Sequence, residues 1–323
     1  MLYHSNFKPA WWLTNPHLQT MAAKFLRRHE QVNTICEILE LPDNDFIELA
    51  WTELPQTNNT RPIVVLLHGL AGSKDSHYAK GMLKAIKAQG WIAVLMHFRG
   101  CGKQQNRQAS SYHSGDTRDI TYLSNILSHR YPQSTFALIG FSLGGNVLTR
   151  YLAEQPRSIY QCAIAICAPL HLASCSNRIN SGFSKIYQKY LVDMLKASTQ
   201  EKIAKKMLPE LCPKKLASIT TIWDFDDYVT APLNGFTDAN DYYQQASGRD
   251  VLTQIKSSCL IIHASDDPFL SHQEITKVHD LPDNIHFEVS SSGGHVGFIS
   301  GKNPLKPQFW LEQRSIQFMT DNL

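Results

Sequence analysis

The chain has 323 residues, 43% of them hydrophobic and 18% charged, an ordinary globular balance with enough length for a sizeable core. A net charge of +3, with no basic stripe interleaved with aromatics outside the N-terminus, argues against a nucleic-acid partner. No apolar run approaches the ~20 residues that span a bilayer, and the opening MLYHSNFKPAWWLTNPHLQT lacks the basic start, apolar stretch and small-residue site of a secretory signal.

In chain order, Ile35–Leu41 and Phe46–Thr52, joined by residues 42–45, predict an antiparallel hairpin. Residues 63–67 (IVVLL) form a short continuous apolar run, as in a strand buried on both faces. A helical pattern over 79–89 follows, stopping at Gly90, and then a strand over 92–97. Residues 117–131 predict a helix ending before Pro132, 136–140 a strand, 145–155 a helix and 160–167 another buried strand. Strands at 259–263 and 285–289 and a terminal helix over 307–322 complete the pattern. Such alternation predicts an α/β fold, a mostly parallel eight-stranded sheet covered by helices on both faces. Between Leu170 and about Ser257 the alternation stops. Helical patterns at 183–198 and 201–208 mark this stretch as a helical cap inserted within a single domain, and residues 1–30 are an N-terminal arm.

Residues 135–152, TFALIGFSLGGNVLTRYL, are the most informative stretch. A strand ends in Gly140-Phe141-Ser142-Leu143-Gly144-Gly145 and an amphipathic helix starts at once. A turn this sharp strains the serine backbone and leaves no room for a Cβ two residues to either side, which Gly140 and Gly144 accommodate. The alternative is a glycine-rich helix start with a capping serine.

A serine hydroxyl needs a base, an acid to orient the base, and donors for the oxyanion. In parallel sheets these groups gather past the C-terminal strand ends. His295, in SSGGHVGF after the last strand, is the expected base. Asp266 and Asp267 follow the strand CLIIH. Their side chains diverge, so only one serves the imidazole; Asp267, directly before Pro-Phe-Leu, is favoured. The alternative for the pair is a turn, solvated or capping a helix that begins near Ser271. The order Ser, Asp, His fits this strand–turn–helix architecture. His68-Gly69-Leu70, after the first buried strand, and the residue after the serine supply the expected oxyanion donors, the amides of Leu70 and Leu143.

Together the segments NPHLQT (15–20), HGLAGSKDSHY (68–78), HFRGCGKQQN (97–106), YHSGDTRD (112–119), GFSLGGN (140–146), DFDDYVTAPLNGFTDANDYY (224–243), DDPF (266–269) and SGGHVGFI (292–299) resemble the YheT-like hydrolases of the α/β-hydrolase superfamily over nearly the whole chain. The resemblance implies an α/β-hydrolase fold and the triad Ser142, Asp267 and His295. It also implies the chemistry of relatives that are esterases, phospholipases and yeast enzymes making and hydrolysing medium-chain ethyl esters.

The expected function is a serine carboxylesterase acting on short- to medium-chain esters through an acyl-enzyme, with a small-molecule partner and neither metal nor organic cofactor. The alternatives are acyl transfer to an alcohol and ligand binding without turnover. Other residues have open roles. Arg99, in Arg99-Gly100-Cys101-Gly102, pairs an acid or meets substrate. Asp224, Asp226 and Asp227 lack the spacing of a calcium loop and are expected to hold the insertion to the core. His17 and Gln19 are candidates for the pocket lining. Trp11, Trp12, Phe25 and Leu26 beside Lys24, Arg27 and Arg28 suit either an arm packed on the domain, the favoured reading, or a membrane interface. Seven scattered cysteines (36, 101, 162, 167, 175, 212, 259) with no Cys-x-x-Cys pair fit a reducing cytoplasm.

Overall fold

A computed structural model describes residues 2–271 and 280–323. The helix expected from about Ser271 falls on 272–279, outside the described residues. The eight predicted strands and one more form one sheet: β1 (Leu2–His4), β2 (Ile35–Glu40), β3 (Phe46–Trp51), β4 (Ile63–Leu67), β5 (Ile92–Met96), β6 (Phe136–Phe141), β7 (Tyr160–Ile166), β8 (Ser258–Ala264) and β9 (Ile285–Ser290). Their order across the sheet is β1–β9–β8–β7–β6–β4–β5–β3–β2. Only the β2–β3 and β3–β5 pairings are antiparallel.

The sheet has nine strands where the sequence pattern predicts eight. The extra strand comes from the N-terminal arm, with Leu2, Tyr3 and His4 opposite Phe287, Glu288 and Val289. Three residues are too few to show a period. They nevertheless cover the open edge of β9, whose unpaired N–H and C=O groups would otherwise invite foreign strands. Tyr3 Oη and Ser5 Oγ donate to the buried Glu288 carboxylate, 3.0 and 2.7 Å away, and Arg314 donates to the same oxygen as Tyr3 at 2.8 Å.

The continuous apolar runs are buried on both faces as expected. Ile63, Val65 and Leu67 of β4 join the core under α3 (Arg118–Arg130) and α4 (Leu143–Glu154). Val64 and Leu66 join the opposite core under α2 (His77–Ala88) and the C-terminal helix Trp310–Asn322. Each such side chain contributes about 1.5–3 kcal/mol on burial.

Between β7 and β8 the described chain is helical, without strands. It comprises α5 (Leu172–Ile179), α6 (Lys185–Ala204), Pro213–Ser218, a continuous run over 222–233, Ala239–Ala246 and a 3₁₀ segment Arg249–Gln254. The two helices expected at 183–198 and 201–208 are largely one. No Gly or Pro interrupts 198–201, so the helix continues to Ala204 and ends before Lys206 turns left-handed at φ 60°.

The acids at 224–227 bind the insertion to itself rather than to the sheet. Asp227 accepts from Ala239 N, Asp226 from Thr230 Oγ1 and Tyr243 Oη, and Asp224 from Thr221 Oγ1. Attachment to the sheet domain comes from residues other than these acids. Lys202 is almost fully buried, and its ammonium donates to Gln108 O, Ala109 O, Ser110 O and Ser111 Oγ at 2.8–3.1 Å. Asn146 of α4 donates to Ala246 O at 2.8 Å, and Tyr242 Oη accepts from Ser114 N at 2.8 Å.

Candidate active site

β6 delivers Ser142 to the start of α4 with φ 50° and ψ −121°, the strained serine turn the sequence predicts. A Cβ on Gly144 would lie 2.6 Å from the carbonyl oxygens of both Leu67 and His68, so only glycine lets α4 begin this close to β4. Strain concentrates here. Of the eight described non-glycine residues with positive φ, five (Ala71, Ser142, Cys167, Val296 and Phe298) follow the C-terminal ends of β4, β6, β7 and β9. Such outliers persist only where packing over-determines them.

The loops after β8 and β9 bring the other two groups to the serine. His295 Nε2 lies 3.0 Å from Ser142 Oγ, and His295 Nδ1 lies 2.8 Å from Asp267 Oδ2. An ionised carboxylate only accepts, so Nδ1 carries the ring proton and Nε2 of the neutral ring accepts from the serine hydroxyl. Asp267 is buried, and its other oxygen accepts from Phe269 N at 2.7 Å. Asp266 turns away from the ring and accepts from Gly294 N at 2.9 Å. Burial raises the Asp266 pKa, with the Gly294 and Gly293 amides opposing. The two acids left open by the sequence thus divide the work: Asp267 meets the imidazole and Asp266 the backbone beside it.

Sequence reasoning missed what holds the ring. His295 N donates to Thr20 Oγ1 at 2.9 Å, and the Phe269 ring stacks on the imidazole with centroids 4.1 Å apart and planes 18° from parallel. Thr20 belongs to α1 (Pro16–Leu26), capped by Asn15. Gly294 must be glycine, because its φ is 61° and a Cβ would lie 2.7 Å from Thr20 Oγ1. Gln19, a candidate for the pocket, is instead fully buried structure. Its amide donates to Leu13 O and Ile299 O and accepts from Ile299 N. His17 sits 3.2 Å from Tyr187 Oη, outside the residues that line the cavity. Through Asn15, Gln19 and Thr20 this segment is therefore a brace for the histidine loop. Thr20→Val should lower kcat about tenfold with KM little changed, and Thr20→Ser should retain activity, because the valine leaves a buried N–H unpaired. Steady-state kinetics showing an unchanged Thr20→Val enzyme would remove that brace from the account.

The loop after β4 has four amides, at Gly69, Leu70, Ala71 and Gly72. Gly69 N donates to Tyr78 Oη at 2.9 Å, Ala71 N to Tyr112 Oη at 2.7 Å and Gly72 N to Gly69 O at 3.0 Å. Leu70 N–H has no partner among the described residues. Leu143 is the first residue of α4, so its amide has no intrahelical acceptor. Leu70, Leu143, Ser142 and His295 all line one cavity. His68 braces this loop. Burial lowers its pKa to about 3, so it is neutral; its Nε2 accepts from Phe98 N at 3.1 Å, and its Nδ1–H donates to Gly69 O at 2.7 Å.

Arg99 spends its guanidinium on acids. It donates to both oxygens of Asp119 at 2.7 and 2.8 Å and to Asp43 and Asp45 at 2.5 and 3.3 Å. Among the described residues, one group of three has ligand atoms close enough to share a metal: Cys167, Asp267 and His295, within 4.8 Å of one another. The Asp267–His295 hydrogen bond already engages two of these groups, and burial raises the Cys167 pKa well above its ordinary value, keeping a thiol rather than a thiolate.

The cavity measures about 800 Å³. Its walls come from the sheet loops, α1 and the helical segment after β7, including Leu172, Ile179, Leu195, Phe225, Val229 and Leu270.

A family model of the alpha/beta hydrolase fold matches residues 62–302. The chain is an α/β hydrolase. It is 41% identical to the protein named "Putative esterase YheT" of Escherichia coli K12, over 99% of this chain and 94% of that one. It is 28% identical to the monoacylglycerol lipase of Saccharomyces cerevisiae, over 76% of this chain and 57% of that protein. Among solved structures, the Pyrococcus furiosus esterase Pf2001 superposes with a TM-score of 0.58 at 17% identity, covering 91% of this hydrolase and 95% of that chain, a likeness of fold.

Proposed function

We propose that this α/β hydrolase is a serine carboxylesterase for esters with an apolar acyl chain of short to medium length. Ser142 Oγ attacks the ester carbonyl while His295 Nε2 takes its proton. The tetrahedral oxyanion is held by the amides of Leu70 and Leu143, donors whose loss costs on the order of 3–4 kcal/mol each. Nε2 then protonates the leaving alkoxide as the C–O bond breaks, giving an acyl-enzyme and an alcohol. Water, deprotonated by the same nitrogen, attacks the acyl-enzyme, and Nε2 returns the proton to Ser142 Oγ as the acyl C–O bond breaks and the acid leaves. Asp267 keeps the ring proton on Nδ1 throughout.

The observation that carries this reading is the unbroken hydrogen-bond chain from Ser142 through His295 to Asp267. The esterase name of the Escherichia coli relative points the same way. The helical segment Leu172–Gln254 acts as the cap, and its largely apolar walls favour an uncharged chain. The proposed location is the cytoplasm, where seven free cysteines stay reduced; no described helix is long and apolar enough to cross a membrane.

The test is a series of p-nitrophenyl esters. From acetate upward, kcat/KM should rise about fourfold per added methylene until the cavity is filled, as each buried CH₂ contributes ~0.8 kcal/mol. A flat series, or one that peaks at acetate, would remove the apolar acyl site from the proposal. Stoichiometric labelling of Ser142 by a fluorophosphonate probe reports the nucleophile independently of chain length.

A further inference from the structure

The mouth of the cavity is unusual for a surface in water. Met21 and Phe25 of α1 line it, and Leu18 shares their helix face at the i, i+3, i+7 spacing. Across the opening, Ile186 and Tyr190 of α6 line it too, with Phe183 just before that helix. All but Met21 are large hydrophobics left exposed, from 49% for Leu18 to 65% for Phe25. The two rows meet. The Phe183 ring lies 4.5 Å from His17, and Lys24 Nζ sits 5.3 Å above the Tyr190 ring. From there a file of rings runs inward: His17 to Tyr187 at 5.8 Å, Tyr187 to Phe269 at 4.9 Å, and Phe269 to His295 at 4.1 Å. The exposed patch is thus continuous with the proposed catalytic site.

Charge sets this face apart as well. Residues 1–29 and 171–192, which supply both rows, contain seven of the chain's 31 Lys and Arg and none of its 28 Asp and Glu. The remainder of the chain is therefore net acidic. Arg27 is buried against Glu312 and Lys189 is paired with Asp193 at 2.6 Å, but Lys24, Arg28 and Lys185 are exposed. An apolar rim on which cations outnumber acids complements a surface that is apolar beneath and anionic above.

We propose that this rim docks on an anionic lipid surface, so that an ester passes from the lipid directly into the cavity. For that delivery role the inference rests on the esterase reading; the docking itself does not. Trp11, Trp12 and Arg27 are not part of the face: Trp11 is held to Lys302 O at 3.0 Å, Trp12 packs beside Ile299, and Arg27 is paired.

The experiment is co-sedimentation with phosphatidylcholine vesicles with and without about a quarter phosphatidylglycerol. The wild-type protein should bind the anionic vesicles, and raising salt from about 0.1 M to about 1 M should release most of it. Leu18→Ser with Phe183→Ser should weaken partition about tenfold or more. Lys185→Glu with Lys189→Glu should abolish the preference for phosphatidylglycerol. Both double variants should hydrolyse dissolved p-nitrophenyl butyrate as the wild type does, which also reports that they are folded. Ser142→Ala should bind vesicles normally, so docking stands or falls apart from catalysis. A wild-type protein that stays in the supernatant at low salt, or charge-reversed and apolar variants that bind as well as it does, overturns the proposal. So does a dimer, seen by analytical ultracentrifugation, that the Leu18/Phe183 variant dissociates without any vesicle binding; the patch would then belong to a second copy.

Discussion

Ser142→Ala is expected to reduce turnover of p-nitrophenyl butyrate by about 10⁶-fold and to abolish fluorophosphonate labelling. The amides of Leu70 and Leu143 remain in place, so catalysis of about 10³–10⁴-fold over water should survive from oxyanion stabilisation and binding. The fold should survive too, because alanine removes one oxygen and leaves the backbone unchanged. The φ of 50° at this position makes a second comparison informative. Ser142→Gly should be equally inactive yet more stable than Ser142→Ala by on the order of 1 kcal/mol, since glycine adopts that backbone without strain. Thermal unfolding of the two variants reads the difference directly. An alanine variant that keeps most of its esterase activity would end the covalent mechanism.

Asp267→Asn should cost about 10⁴-fold in kcat with little change in KM. The asparagine oxygen still accepts from Phe269 N, which leaves its NH₂ facing His295 Nδ1. The imidazole then carries its proton on Nε2 and presents no lone pair to Ser142. Asp266→Asn should behave differently. Its oxygen continues to accept from Gly294 N, so activity should stay within about tenfold of wild type. Measured side by side, the pair separates an acid that orients the base from one that fixes the base's loop. A larger loss at residue 266 than at 267 would reverse the assignment.

The strand–turn–helix around Ser142 was legible because its signals are local. An apolar run, glycines two residues to either side and a helical stripe all fall within eighteen residues. His295 was legible for a related reason, being glycine-flanked after the last long strand. The acid was only half legible. Adjacent side chains diverge, but which of them meets the imidazole depends on how the β8 loop lies against the β9 loop. Thr20 and Phe269 carried no local signal, and the same is true of the Tyr78 and Tyr112 hydroxyls that occupy the amides flanking Leu70. Each acts through a partner remote or unmarked in sequence. The acids at 224–227 show the converse: a conspicuous cluster whose hydrogen bonds stay within the insertion.

By itself the sequence determined the parallel sheet, the serine at its sharp turn, the glycine-flanked histidine that follows the last long strand and the helical character of the segment after β7. Hydrophobic period and glycine placement act over a few residues, so a linear reading recovers them. The tertiary structure alone decided that three N-terminal residues close the sheet as a ninth strand and that Lys202 ties the insertion to the 108–111 loop. It also decided which carboxylate holds His295, and that an apolar, cation-bearing rim surrounds the way in. Those outcomes come from hydrogen-bonding groups and surfaces that find each other across tens to hundreds of residues, where pairing is chosen by the shape of the whole core.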